Sequence, residues 1–295
     1  MGMGFANLEY LTEKRLIARK SRILDIGSQN LYNVTPERIV SFIRQFGRPL
    51  DDKALKEASE RLSYFSTPRP GETTTFLADL LDLTEITYLG YDVCPSPGTE
   101  IFDLNIQRLP VERRNTFDIV FNFGTTEHVI NQLNAFEVMH DAMKVGGICF
   151  HQLPSIGYVD HGYVNYNPLF IDDLVTANDY EVIDRFYTTA GGGPFGSAGV
   201  DIRDPERPSA PRSGSGPEGL PNFNLNYIVR KKVDAPFYVG LEIATTHAPL
   251  SQEATASYGE RRRLAAGDIV RGQSARPESS KPSWRSRLND MTGRR

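Results

Sequence analysis

Short apolar runs ended by glycine or a polar turn recur along the chain, and helical patterns separate many of them. RILDIG is the first: a buried strand running into a tight turn. EITYLGYDV, TEIFDL, FDIVFNFG, GGICFHQLP, YEVIDRFYT and FNLNYIVRK follow, all rich in β-branched and aromatic residues. Residues 7–20 read as an amphipathic lead-in helix, and VINQLNAFEVMHDAMK and PLFIDDLVTAND as later helices. Strands alternating with helices predict an α/β fold, a mostly parallel sheet with helices on both faces.

The stretch between the first two strands is long. TPERIVSFIRQFG predicts a helix with Thr35 as N-cap, Pro36 in the first turn and Gly47 past the end. Its Ile39, Val40, Ile43 and Phe46 share one face. DDKALKEASERLSYF is a second helix and TTTFLADLLDL a third. The first two form a helical insertion at about 31–70, a candidate lid. Residues 189–222 are rich in Gly, Pro and Ser and read as a long loop within one domain. The expected organisation is a domain over 1–236 and a C-terminal extension over 237–295, disordered and basic from about 258.

Charge sharpens this division. The last 35 residues hold ten Lys/Arg against three Asp/Glu, whereas the whole chain has a net charge of −4. An acidic body is a poor platform for nucleic acid, and the basic tail offers a contact for an acidic partner. No apolar run reaches the ~20 residues of a membrane span. Cys94 and Cys149 stand far apart in apolar runs, which fits buried free thiols and a reducing cytoplasm.

Candidate chemistry gathers at the ends of the strands. Asp25 and Gly27 close the first, Asp92 the second, Asp103 the third, and Asn122 and Gly124 the fourth. Ligands of open α/β sheets bind at that carboxyl edge. A glycine after the first strand lets backbone approach a ligand closely. Asp92 could accept hydrogen bonds from a ribose diol and Asp103 from an adenine amine. Together they describe a pocket for an adenosine with a polar tail.

This ordered series resembles the class I S-adenosylmethionine-dependent methyltransferases over roughly residues 20–235. The resemblance implies a Rossmann-like, mostly parallel seven-stranded sheet and S-adenosyl-L-methionine as cofactor. It places Asp25, Gly27 and Ser28 beside the methionine part, Asp92 on the ribose, Asp103 and Leu104 at the adenine, and Asn122, Phe123 and Gly124 beside the sulfonium. TEHV, with Glu127 and His128, looks like the segment that opens the next helix in that family, and MKVGGICFHQLP like its approach to strand five. Two features depart from the pattern. LDIGSQN has fewer glycines than usual, and 67 positions separate Asp25 from Asp92.

The acceptor half rests on HQLPSIGYVDHGYVNYNPLF. His161 and His151 are candidate bases for a hydroxyl acceptor, and Asp160, Tyr163, Asn165 and Tyr166 candidate substrate contacts. DHGYVNYNP resembles a segment found in a subset of bacterial methyltransferases. No HxxxH or HxH spacing supports a metal site among His128, His151, Asp160 and His161, so none is expected. The expected activity is O-methylation of a small-molecule or sugar-like acceptor. The alternatives are a nicotinamide-dependent oxidoreductase, which would lack its G-x-G-x-x-G after strand one, and a non-catalytic binding module that retains the fold.

Overall fold

The computed structural model describes residues 2–32, 34–65, 75–189, 222–240 and 251–253, with the side chains of Tyr64, Phe65 and Thr189 excepted. The Gly/Pro-rich segment and the basic tail lie outside the described residues. The chain divides into two compact units, 1–247 and 248–295. The sheet and its helices all belong to the first.

A short strand β1 (Gly2–Gly4) leads into α1 (Phe5–Glu13), β2 (Arg22–Asp25) and β3 (Asn30–Tyr32). The helices α2 (Pro36–Phe46), α3 (Asp52–Phe65) and α4 (Leu77–Leu81) precede β4 (Thr87–Asp92), β5 (Thr99–Ile101) and β6 (Phe117–Phe123). Then come α5 (Gln132–Ala142), β7 (Met143–Ile156), α6 (Pro168–Asn178), β8 (Tyr180–Thr189) and β9 (Phe223–Lys231). Seven strands form one sheet in the order β5-β4-β2-β6-β7-β9-β8. The first five run parallel, and β9 lies antiparallel to both β7 and β8. The order reverses direction at β2, where β4 leaves on one side and β6 on the other. This is a switch point of the kind that opens a ligand crevice.

Alternation along the strands splits the core into two layers. Ile119, Phe121 and Phe123 face one side of the sheet, packed with Leu8, Ile39, Phe42 and Leu80 of α1, α2 and α4. Val120, Cys149 and Leu153 face the other, packed with Phe136 of α5 and Leu174 of α6. The predicted caps of α2 form: Thr35 accepts from the Arg38 N–H, Pro36 occupies the first turn, and Gly47 follows the end. A β-carbon on Gly47 would stand 2.2 Å from the Ile43 carbonyl oxygen, so only glycine fits there.

Several boundaries differ from the sequence expectation. The lead-in helix stops at Glu13, where Arg15 takes a positive φ of 55° that reverses the chain. The third helix shrinks to five residues. TEHV forms a 3₁₀ turn over Thr126–His128, and the next helix starts later, capped by Asn131. α2 is built into the core through Ile39, Phe42, Ile43 and Phe46 rather than hinged over a cleft. Cys94 is exposed and Cys149 buried, so one expected buried thiol is at the surface. The pairing of β1 with β3 had no periodic signal, because each strand has three residues. Past β9 the chain continues along this unit: Phe237 is buried, and the Tyr238 N–H donates to Asn178 Oδ1 at 2.7 Å. No helix among the described residues is long and apolar enough to cross a membrane.

Candidate active site

The carboxyl edge of β2, β4 and β6 brings the predicted cofactor residues together. β2 pairs with β4 in parallel, with Asp25 opposite Gly90. The Ser28 N–H donates to Asp92 Oδ2 at 2.9 Å, and the Cys94 N–H to Asp92 Oδ1 at 2.9 Å. The long insertion therefore loops out and returns, leaving Asp92 beside the turn after β2. Gly27 has φ of 131° and Gly124 of 64°, backbone that L side chains rarely adopt.

Asp25 is fully buried and accepts from the Tyr88 hydroxyl at 2.9 Å. Burial pushes its carboxyl well above the usual range. Asp25 therefore sits under the turn, with Oδ2 held by Tyr88 and Oδ1 without a partner among the described residues. Asp103 follows β5, and its Oδ1 accepts from the Asn105 N–H at 2.8 Å. Leu104 is buried, and its carbonyl accepts from Asn134 Nδ2 at 2.6 Å. Asn122 is buried, with Nδ2 donating to Thr126 Oγ1 at 3.0 Å. Phe123 turns into the core against Phe121 and Phe150, so its carbonyl, not its ring, lies at the edge. That carbonyl accepts from Gln29 Nε2 at 3.1 Å.

Four buried polar atoms at this edge have no hydrogen-bond partner among the described residues: Asp25 Oδ1, Ser28 Oγ, Gln29 Oε1 and Asn122 Oδ1. Buried polar groups are normally satisfied, so such orphans fit a polar ligand that completes them. With the partly exposed Asp92 carboxylate and the glycine turns, the residues present fit an adenosine-type cofactor.

A cavity of about 200 Å³ adjoins Phe123 and Gly124 and is lined further by Glu127, Tyr158, His161 and Asn224. Ligand pockets usually run to about 300–1,000 Å³, so this one suits a small acceptor or one end of a larger ligand. Gly2 of the N-terminal strand also borders it. Larger clefts beside α2, α3 and α4 include none of the predicted site residues.

The two candidate histidines have opposite environments. His151 is buried, stacked on Phe136 at 5.7 Å, with Nδ1 3.1 Å from Asn122 Nδ2. Desolvation pulls it down to about 3, so it is neutral at physiological pH and lies on the core side of the sheet. His161 is half exposed, with Nε2 3.6 Å from Glu127 Oε1. The cavity therefore takes His161 and leaves His151 in the packing. Tyr166 is also buried, its hydroxyl bonded to Thr126 Oγ1 and Gln132 Oε1 at 2.8 and 2.7 Å. Asp160, Tyr163 and Asn165 are exposed, and none of the three lines the cavity. Asn165 braces the loop by donating to the Tyr158 carbonyl at 2.8 Å.

Glu127 has a place at the site that its position in TEHV does not announce. Its side chain is 1% exposed, and burial pushes its carboxyl up to about 7. The loop carrying His161 lies directly on it, with the Tyr163 N–H donating to the Glu127 carbonyl at 2.6 Å. Gly162, at φ of 71°, permits this approach. A β-carbon there would stand 2.9 Å from both Glu127 Cγ and Glu127 O. Gly162→Ala is expected to lower stability by about 1–2 kcal/mol, read from the urea midpoint, since the left-handed backbone and the contact both oppose it. An unchanged midpoint would mean the loop is not held against Glu127.

His151 contributes to the acid sensitivity of the fold, as does buried His140, which desolvation pulls down to about 4. The folded value of His151 lies below the unfolded ~6.5, so the native state binds fewer protons. The stability it contributes is present above pH 6.5 and is lost as pH falls toward about 3. Between pH 6.5 and 4.5 wild type should lose about 2–3 kcal/mol more than His151→Gln, measured by urea unfolding at each pH. Equal losses in both proteins would place His151 in water.

No family model matches the sequence, and no curated protein does. The structure is similar, at low identity and TM-score, to several solved structures. One is the 1,6-didemethyltoxoflavin-N1-methyltransferase of Burkholderia thailandensis, solved with S-adenosylhomocysteine, at 11% identity and TM-score 0.38, covering 77% of each chain. Another is a SAM-dependent methyltransferase of Archaeoglobus fulgidus, at 11% identity and TM-score 0.35, covering 77% of this chain and 94% of that one. A third is phosphoethanolamine N-methyltransferase 2 of Haemonchus contortus with S-adenosyl-L-methionine, at 13% identity and TM-score 0.37, covering 77% and 53%. The fold is Rossmann-like: a mostly parallel seven-stranded sheet with helices on both faces. In the seven-stranded order β9 alone runs antiparallel to the other strands, and the helical insertion falls between β2 and β4.

Proposed function

We propose that the protein transfers a methyl group from S-adenosylmethionine to a hydroxyl of a small-molecule or sugar-like acceptor. The observation that carries this reading is the junction of Ser28 and Asp92, which sets a carboxylate and a glycine turn side by side at the switch point. S-adenosylmethionine supplies an electrophilic methyl on its sulfonium. In this reading Asp92 accepts from the ribose hydroxyls, and Asp103 from the adenine amine. Ser28 and Asn122, whose buried atoms are unpartnered, hydrogen-bond the polar tail. Gly124 keeps the passage from cofactor to cavity free of side chain.

His161 is the acceptor-activating residue. It stands at the cavity with Glu127 behind it, placed to remove or direct removal of the acceptor's proton. Holding the acceptor in line with the methyl supplies the rest of the rate, because the reaction is a displacement governed by positioning. The basic C-terminal tail offers a contact for an acidic partner.

The test is transfer of label from methyl-labelled S-adenosylmethionine to a panel of hydroxyl and amine acceptors. Labelled methyl ethers are the expected product. Label only on amines would overturn the oxygen assignment, and no label on any acceptor would favour a binding module that keeps the fold.

A further inference from the structure

Three potential ligand atoms converge at the rim of the cavity: a carboxylate oxygen of Glu127 and one ring nitrogen each from His128 and His161. They lie within 4.8 Å of one another. Glu127 Oε1 is 3.9 Å from His128 Nε2 and 3.6 Å from His161 Nε2. These separations are too long for hydrogen bonds. They are close to the spacing of roughly 3.4 Å that two ligands keep around a tetrahedral ion with bonds of about 2.0–2.1 Å. The two imidazoles meet edge to face with ring centroids 5.2 Å apart.

Glu127 supplies an independent observation. It is buried, yet its Oε2 has no hydrogen-bond partner, and no Lys or Arg pairs with it among the described residues. A carboxylate taken out of water in this way is costly unless a cation or donors complete it. The fold also invests backbone in the arrangement. The 3₁₀ turn places His128 next to Glu127, and Gly162 with the Tyr163 N–H clamps the His161 loop onto the Glu127 main chain.

We propose that Glu127, His128 and His161 bind a divalent transition-metal ion, of the zinc, cobalt or iron(II) type, at the mouth of the acceptor cavity. Two imidazoles and one carboxylate are a ligand set suited to those ions rather than to calcium or magnesium. Three protein ligands leave at least one position open, as in catalytic rather than structural sites. Glu127 and His161 line the cavity, so an ion held by them would stand beside a bound acceptor oxygen. This role rests on the proposed methyl transfer; the binding itself does not. An acceptor hydroxyl bound there loses its proton to water more readily. The oxygen then forms the bond to the methyl while the sulfur–methyl bond breaks, its electron pair staying on sulfur. His161 thereby activates the acceptor as a ligand.

The test is metal uptake by the tag-free full-length chain, with zinc read by titration calorimetry and cobalt(II) by its visible absorption. A Cys94→Ser background removes the exposed thiol as a competing ligand. One ion per chain is expected, with affinity at least ~100-fold weaker in His128→Ala and in His161→Ala. Both rings are half exposed, so these variants should fold, as a native melting profile would verify. Glu127→Gln should weaken uptake similarly. No uptake by the Cys94→Ser protein, or equal uptake by the histidine variants, would overturn the proposal. S-adenosylhomocysteine binding measured in the same samples separates failure of the metal site from failure of the cofactor assignment.

Discussion

His161→Ala is expected to lower kcat by about 100- to 10,000-fold while leaving the affinity for S-adenosylhomocysteine within a few-fold of wild type. The size follows from what positioned proton-handling groups contribute. The selectivity follows from location, since His161 and Gly124 line the cavity whereas Ser28, Asp92 and Asp103 do not. The ring is half exposed, so its loss leaves no buried void and the fold should persist. His151→Gln should behave differently, changing acid stability with a small effect on turnover at pH 7.5. Single-turnover kinetics on both variants checks the pair. A His161→Ala enzyme of wild-type kcat would remove this residue from acceptor activation.

Asp92→Ala is expected to weaken S-adenosylhomocysteine binding by about 100-fold. A hydrogen bond to a charged group contributes roughly 1.5–3 kcal/mol, and a ribose diol offers two. The same carboxylate accepts the Ser28 and Cys94 N–H groups, so alanine also frees the turn after β2. Asp92→Asn separates the two effects. It keeps one acceptor oxygen for the turn and should lose less, about 10-fold. Undiminished binding in Asp92→Ala would move the ribose elsewhere.

Much of the fold was legible because buried parallel strands and capped helices leave local signatures. Thr35, Pro36 and Gly47 marked α2 correctly, and each strand that ended in a polar turn took its place in the sheet. The short elements were not legible. β1 and β3 have too few residues for a period, and they pair through backbone. α1 ends where Arg15 takes a left-handed conformation that no residue type announces. At the site, positions along the strand edge were readable and environments were not. His151 and His161 are equivalent in a string of letters. Pleat parity sends His151 into the core layer of Phe136, and Gly162 lays His161 on Glu127. Glu127 and His161 are 34 positions apart, so no spacing rule for metal ligands or catalytic pairs could have joined them. The unpartnered oxygen of Glu127 was the signal, and burial alone reveals it.

The most direct test of the cofactor site is calorimetric titration of the wild-type chain with S-adenosylhomocysteine, with NADH titrated in parallel. The account predicts one S-adenosylhomocysteine bound per chain with a dissociation constant in the micromolar range, about −8 kcal/mol, and no heat from NADH. Saturable NADH binding, with none for S-adenosylhomocysteine, would contradict it.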